Sequence, residues 1–300
     1  MDDSLTLLVD APSLFYRALF STPDSVRTPE GAPINAAHGF LRMLARLVRD
    51  HDPDFIGCAA DVSWRPRWRV ELIESYKDFR AAPGSAQQAA ERRLASQVPI
   101  LYGLLEMCDV PVIGHPDSEA EDVIGTLAQR APGRVAIFSG DRDLFQLVRD
   151  PDIVVHFPIR GVGKVEVVDE TYIEKRYGIP GRAYRDFAVL RGDPSDGLPG
   201  VRGIGEKLAA SLVARYGDLE TILEAAEGSQ SFSLAKVRRQ AAYVRRAEKV
   251  VTIATGLPLA PVDLSRPRDL PRAEITAAAQ RFGLEGPVAA LLDNLCGKVS

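Results

Sequence analysis

Acidic residues in this chain stand again and again at the ends of apolar segments. Leu5-Thr6-Leu7-Leu8-Val9 runs into Asp10, and Phe55-Ile56-Gly57-Cys58-Ala59-Ala60 runs into Asp61. Val135-Ala136-Ile137-Phe138-Ser139-Gly140 runs into Asp141, with Asp143 two residues on. Glu119, Glu121 and Asp122 form a further group, and Asp193 and Asp196 another. In an open parallel sheet the C-terminal strand ends share one edge, where ligand crevices form. Carboxylates gathered there would repel and raise one another's pKa values, so they call for cations. A donor set made only of oxygen suits hard divalent ions such as magnesium or manganese. The pattern points to metal-assisted chemistry on phosphate. Taken singly, Asp10, Asp61 or Asp141 reads better as a helix N-cap following a strand. Three such ends together, with Asp143, favour a shared site.

The elements that must position these residues alternate in the first half. Apolar strands are separated by helical patterns, as in a parallel α/β sheet. A helix is expected from Ser13 to Phe20, and another from about Ala36 to Arg49 with Phe40, Leu41, Leu44, Leu47 and Val48 on its apolar side. Further expectations are a helix from Val98 to Met107, a strand from Val110 to Ile113 and a helix from Glu119 to Arg130. In that last helix the acidic first turn suits the dipole whatever its function. The spacing puts Glu119 and Asp122 on one face and turns Glu121 away, which leaves direct ligation by this trio open. Residues 62–97 carry Trp64, Trp68, Tyr76 and Phe79 among basic residues, then a weakly hydrophobic run, and read as a mobile excursion from the core. Ile153–Phe157 and Val165–Val168 read as a hairpin. From Thr171 onward the chain reads as helical, with a domain change near residue 170: an α/β part over 1–170 and a mainly helical part over 171–300.

Composition bounds the class. Hydrophobic content of 46% and charged content of 26% are those of a globular protein with a sizeable core. No apolar run is long enough to span a bilayer, and Met1-Asp2-Asp3 lacks a basic signal region, so a cytoplasmic location is expected. Cys58, Cys108 and Cys296 form no close-spaced pair and read as free thiols. The net charge of −4 argues against a nucleic-acid partner until the charges are located. Nine of the 41 acidic residues are the site candidates above; with those neutralised, 37 basic residues face 32 acidic ones. The basic residues are also bunched, at Arg65, Arg67, Arg69, Lys77 and Arg80 and again at Lys236, Arg238, Arg239, Arg245, Arg246 and Lys249. Each run alone fits a solvated helix face; together they form the footprint of a phosphate backbone.

Gly200-Val201-Arg202-Gly203-Ile204-Gly205-Glu206-Lys207 is a glycine-rich turn entering the helix of Leu208, Leu212 and Val213. Glycine lets backbone N–H groups approach a phosphate, and a helix N-terminus favours the anion. The spacing is not that of a Walker A loop. A plain turn is the alternative, and the placement after Asp193 and Asp196 is what raises the phosphate reading. His38, His51, His115 and His156 show no spacing suited to a metal or a triad, and no serine sits in a nucleophile elbow. Pro12 stands where a haloacid-dehalogenase phosphatase would place its second Asp.

In order, these segments resemble the bacterial 5′-nuclease (flap endonuclease) family, which includes the 5′-3′ exonuclease domain of bacterial DNA polymerase I and its stand-alone relatives. The likeness spans roughly residues 5 to 260. It rests on Leu8-Val9-Asp10 with Tyr16-Arg17-Ala18, on Asp61, on Trp68-Arg69 and Tyr76-Lys77-Asp78-Phe79-Arg80, and on Glu119-Ala120-Glu121-Asp122. Ser139-Gly140-Asp141-Arg142-Asp143-Leu144-Phe145-Gln146-Leu147 and the run from Gly192 to Lys207 complete it. Glu121 departs from the bacterial pattern, where Asp is usual, and Gly197 stands where Asn is usual. The resemblance implies a helical arch at about 64–97 and a helix-hairpin-helix (H3TH) near 198–216, often with a bound potassium ion. It implies a metal-dependent nuclease that cuts DNA near a 5′ flap junction and degrades 5′ ends, with two ions held by Asp10, Asp61, Glu119, Glu121, Asp122, Asp141, Asp143, Asp193 and Asp196. Lys77 and Arg80 would neutralise the phosphoryl group, Tyr76 would stack on a base, and Gly203, Gly205 and Lys207 would grip the duplex. A monomer acting on flapped, branched or nicked DNA in replication or repair is the implied form. A nonenzymatic DNA-binding paralogue would have thinned carboxylates, and a related RNA-cutting nuclease would be shorter and lack the 200–207 module.

Overall fold

A computed structural model describes residues 3–296. Its centre is one sheet of six strands: β1 (Leu5–Asp10), β2 (Phe55–Ala59), β3 (Val112–Ile113), β4 (Arg134–Phe138), β5 (Ile153–Arg160) and β6 (Lys164–Val168). The spatial order is β3-β2-β1-β4-β5-β6, with every neighbouring pair parallel except β5 and β6. β1 is buried at five of its six positions, the near-continuous apolar run of a strand covered on both faces. β2 and β4 flank it in register, Val9 lying beside both Cys58 and Phe138. The chain leaves β1 in one direction through β2 and β3, then returns to β1's other side at β4. That reversal opens a crevice beyond the carboxyl ends of β1 and β4. Asp10, Asp61 and Asp141 therefore project from one edge. The third strand is shorter than expected, beginning at Val112 and not Val110.

The helix Asn35–His51 packs its apolar stripe on the sheet; Phe40, Leu41, Leu44 and Val48 are fully buried. Truncating Leu44 to Ala would cost about 2–5 kcal/mol. Ile34 precedes this helix and has no side-chain acceptor, so its first N–H groups need a partner from elsewhere. Gln97 supplies it: its Oε1 accepts from Ala36 N at 2.8 Å and Ala37 N at 3.3 Å. Gln97 is fully buried, and its position corrects the reading of 62–97 as an excursion. The stretch forms short helices at Arg67–Leu72, Asp78–Ala81 and Ala86–Leu94 and buries Arg69, Tyr76 and Lys77 against the site. Its sparse apolar residues are compensated by ion pairs, which an apolar pattern cannot reveal.

Residues 171–300 are not one unit either. The helices from Glu170 to Val251 form a layer beyond the sheet's carboxyl edge, and the chain then doubles back. Ile56 N donates to Leu264 O at 2.7 Å, and Arg266 N to Asp54 O at 2.9 Å, so this segment borders β2. Helices Arg272–Gln280 and Glu285–Leu295 follow, and Val288, Leu291, Leu292 and Leu295 share the apolar core of Phe40, Leu41, Leu44 and Leu47. Among the described residues no helix is long and apolar enough to cross a membrane.

Candidate active site

Asp10 caps the helix Ala11–Ser21, with Ser13 N donating to its Oδ1 at 3.0 Å, and Ser139 Oγ donates to its other oxygen. The N-cap reading and the site reading are thus both true of one residue. Asp61 accepts from Ala120 N at 2.8 Å, which ties the end of β2 to the start of the helix Ala120–Arg130. Asp141 accepts from Asp143 N at 2.8 Å, in the short 3-10 turn Asp143–Leu147 that follows β4. Gly140 N donates to Ser13 Oγ at 2.9 Å, locking the β4 loop to the helix after β1. Ser13 and Ser139, which sequence reading did not single out, hold the acids in place; only their position beside Asp10 and Asp141 marked them.

A cavity of about 670 Å³ opens over these residues. Asp10, Asp61, Glu119, Glu121, Asp141, Asp193 and Asp196 line it, with Lys77 and Arg80 on the facing side. Glu121, Asp141 and Asp143 each offer one oxygen, and these three atoms lie within 4.8 Å of one another. The direction expected for Glu121 is corrected here. Glu119 is the N-cap, in extended conformation, and forms a capping box with Asp122. The helix therefore starts one residue later than expected, and Glu121 is the member that meets Asp141 and Asp143. Asp122 does not line the cavity: its Oδ1 accepts from Ala254 N at 2.9 Å and from Arg69 at 2.9 Å.

Burial sets the electrostatics. It pushes the Asp10 carboxyl up to about 7 against the pull of the Ser139 bond. Asp61 rises to about 6, again through burial, with Glu119 and Asp141 adding repulsion. Asp196 rises to about 6 by burial, despite Lys77. Glu121 and Asp143 are held well above the carboxylate range by burial, and neighbouring acids, Asp141 among them, add to it. Such a set favours bound cations, and an oxygen-only set fits hard divalent ions.

Cations of the chain itself reach the acids. Arg69 is fully buried; its NH1 pairs with Glu119 and with Glu121 at 3.0 Å, and its NH2 with Asp122. Burial opposes its charge, but Glu121, Tyr76, Asp122 and Glu119 outweigh that and raise its pKa. Lys77 bonds Glu119 and lies 3.8 Å from Asp196, and those carboxylates likewise overcome its burial. Its N–H donates to Asp196 O at 2.9 Å. Arg80 NH2 pairs with Asp196 Oδ1 at 2.6 Å. Tyr76 is placed differently from expectation: its ring is 2% exposed and its hydroxyl donates to Glu119 at 2.5 Å, so no face is open to a base. Arg69, Tyr76 and Lys77 form a buried wedge that ties the 67–80 segment to Glu119 and Glu121. Arg69 was visible only as part of a motif, because nothing local in sequence pairs it with acids 50 residues away.

Asp196 ends the short turn Pro194–Asp196 ahead of the glycine-rich run, and Asp193 caps that turn, its side chain accepting from Ser195 N. Gly200 and Gly203 have φ of 66° and 84°, left-handed values that suit glycine. Gly205 is the N-cap of the helix Glu206–Tyr216. Gly203, Gly205 and Lys207 are exposed on this rim, and the first two border a second cavity of about 690 Å³. Lys236 Nζ donates to Gly203 O at 2.8 Å.

Two matching family models cover most of the chain. Residues 5–178 match the 5′-3′ exonuclease N-terminal resolvase-like domain, and residues 179–272 the 5′-3′ exonuclease C-terminal SAM fold. This chain belongs to the 5′-3′ exonuclease family. It is 43% identical over 300 residues to a 5′-3′ exonuclease of Streptomyces coelicolor, covering 96% of this chain and 99% of that one. It is 36% identical over 258 residues to DNA polymerase I of Mycobacterium bovis, covering 85% of this chain and 28% of the polymerase. The bacteriophage T5 flap endonuclease, crystallised as a pseudo-enzyme-product complex with DNA and metal ions, shares the fold with a TM-score of 0.66 at 14% identity, covering 97% of this chain and 99% of that one. This exonuclease is thus a phosphodiester hydrolase by family, and the expected α/β sheet flanked by helices with a helical C-terminal region is its fold.

Proposed function

We propose that this exonuclease hydrolyses DNA at 5′ flap junctions and from 5′ ends, as a cytoplasmic monomer serving replication or repair, and that it depends on magnesium or manganese. The observation that carries this is the meeting of one oxygen each from Glu121, Asp141 and Asp143 within 4.8 Å, at the wall of a cavity that Glu121 and Asp141 line together with Asp10, Asp61, Asp196, Lys77 and Arg80. Divalent ions bound there would supply an activated water and stabilise charge on the leaving oxygen. Glu121, Asp141 and Asp143, with Asp10 and Asp61, would hold them; Glu119, Asp193 and Asp196 lie close enough to act through water. Asp122 is left to Arg69 and the Ala254 backbone.

Lys77 and Arg80 bring positive charge to the cavity, where the scissile phosphate would lie. Each is paired with an acid in the free protein, Lys77 with Glu119 and Arg80 with Asp196. Taking up a phosphate would exchange those partners for phosphoryl oxygens, whose charge grows in the transition state. Gly203, Gly205 and Lys207 would bind duplex backbone, through the N–H groups of the turn and of the first turn of the helix Glu206–Tyr216 and through the Lys207 ammonium. A potassium ion bound at this hairpin belongs to the same reading, and no step is assigned to it. The T5 relative's complex with DNA and metal ions supports a DNA substrate. A double-flap DNA labelled on the flap strand tests the reading, with magnesium or manganese against chelator. An oligonucleotide released at the junction only with metal is the expected result. Mononucleotides alone would restrict the activity to exonuclease, and tight binding without cleavage by folded protein would overturn the enzymatic reading.

A further inference from the structure

The helices that follow the glycine-rich hairpin send side chains back to it. Phe232–Arg239 and Ala241–Val251 meet at Gln240, which ends one helix and begins the other. Lys236, Gln240 and Tyr243 lie in the last turn of the first helix, at the junction and in the first turn of the second. All three bond main-chain atoms of residues 200–203. Tyr243 Oη accepts from Gly200 N at 2.9 Å, and Gln240 Oε1 accepts from Arg202 N at 2.9 Å. Gln240 Nε2 donates to Arg202 O at 3.4 Å, and Lys236 Nζ to Gly203 O at 2.8 Å. The Lys236 ammonium also lies 4.5 Å from the centre of the Phe232 ring one turn earlier.

A turn with left-handed glycines is costly to order, because glycine gives up more backbone freedom than any other residue. The four side-chain bonds meet that cost from one side of the turn. They engage Gly200, Arg202 and Gly203 and leave the N–H groups of Gly205, Glu206 and Lys207, which have no acceptor inside their own helix, for an external anion. We infer that Lys236, Gln240 and Tyr243 are positioning residues that hold the hairpin in its phosphate-binding shape, so that duplex binding depends on them more than the chemical step does. The inference rests on the hairpin being the duplex grip proposed above.

The test uses the full chain, with Gln240→Leu, Gln240→Glu and Tyr243→Phe beside a Lys207→Ala control. Binding is read as the Kd for a blunt DNA duplex in chelator, and turnover as KM and kcat on double-flap DNA with magnesium. Gln240→Leu should raise Kd and KM about tenfold while kcat falls less than roughly threefold, because the two hydrogen bonds to Arg202, and a third to Lys236 O, are lost away from the chemistry. Tyr243→Phe, which deletes one hydroxyl and keeps the packing, should raise both about threefold. Gln240→Glu keeps the acceptor for Arg202 N–H and should recover part of the loss. Thermal unfolding confirms that each variant is folded, and Tyr243→Phe carries the test if Gln240→Leu is not. Unchanged Kd and KM in folded Gln240→Leu and Tyr243→Phe, with Lys207→Ala weakened, would refute the positioning role alone. Unchanged binding in Lys207→Ala as well would remove the hairpin as the grip, and both readings would fall together.

Discussion

On the proposed reading, the acidic cavity and the glycine-rich hairpin take up phosphate by opposite means. In the cavity side chains carry the chemistry, and burial holds like charges together at a cost that a buried arginine and lysine offset. At the hairpin the main chain, with the Lys207 ammonium, would be the binding surface, and Lys236, Gln240 and Tyr243 brace it. The contrast teaches where each region is fragile. The cavity should be sensitive to a change of one atom in a carboxylate, and the hairpin to a change of backbone freedom.

The largest effect should come from Asp141→Asn, which keeps size and removes charge at the centre of the Glu121–Asp141–Asp143 group. Losing metal-held charge stabilisation worth several kcal/mol lowers kcat by on the order of a thousandfold. Duplex Kd should stay measurable, because the hairpin is untouched; turnover near the parent rate would sink the cavity as the site. Next comes Arg69→Met. Removing one partner from a buried ion-pair cluster costs about 3–5 kcal/mol, read by urea unfolding of the metal-free protein. A loss under about 1 kcal/mol, the scale of an exposed pair, would show that the carboxylates do not need it.

A third expectation concerns pH. The folded carboxyls of Asp10 and Asp61, at about 7 and about 6, lie above their unfolded values near 4, so the folded chain binds more protons between those limits. Their contribution is fully present below the unfolded values and is lost as pH rises through the folded ones. Metal-free protein should therefore unfold at a lower temperature at pH 8 than at pH 5, and saturating magnesium should flatten or reverse that slope. A metal-free midpoint that rises over the same interval would contradict the electrostatics of the cavity. The smallest effect is expected for Gly203→Ala. With φ at 84° it places a side chain in left-handed backbone at a strain of about 1 kcal/mol, which weakens duplex binding severalfold. An effect on kcat larger than on KM would blur the contrast between the two regions.

Much of this was readable from residues alone, for a physical reason. Parallel strands share a carboxyl edge, so Asp10, Asp61 and Asp141 at the ends of apolar runs had to converge once the sheet was inferred. Direction inside the 119–122 group was not readable, because it turns on whether the helix begins at Glu119 or one residue later, and backbone conformation decides that. The 62–97 stretch misled because its burial is ionic: Arg69 and Lys77 reach acids 42 to 53 positions away, which leaves no hydrophobic period. The bracing trio of Lys236, Gln240 and Tyr243 was hidden for a similar reason, since its partners lie in another segment. Residues 264–295 read as helical, but nothing local said which core they would join.

That last placement bears on the timing of folding during synthesis. The helix Asn35–His51 is made early, yet part of its apolar stripe is covered by Glu285–Leu295, nearly the whole chain away. At about 5–20 residues per second, the early helix waits on the order of ten seconds or more with that stripe bare on the ribosome. The core over this face of the sheet cannot close until the helix Glu285–Leu295 has cleared the exit tunnel, so a nascent chain stalled before residue 285 keeps that stripe exposed to water.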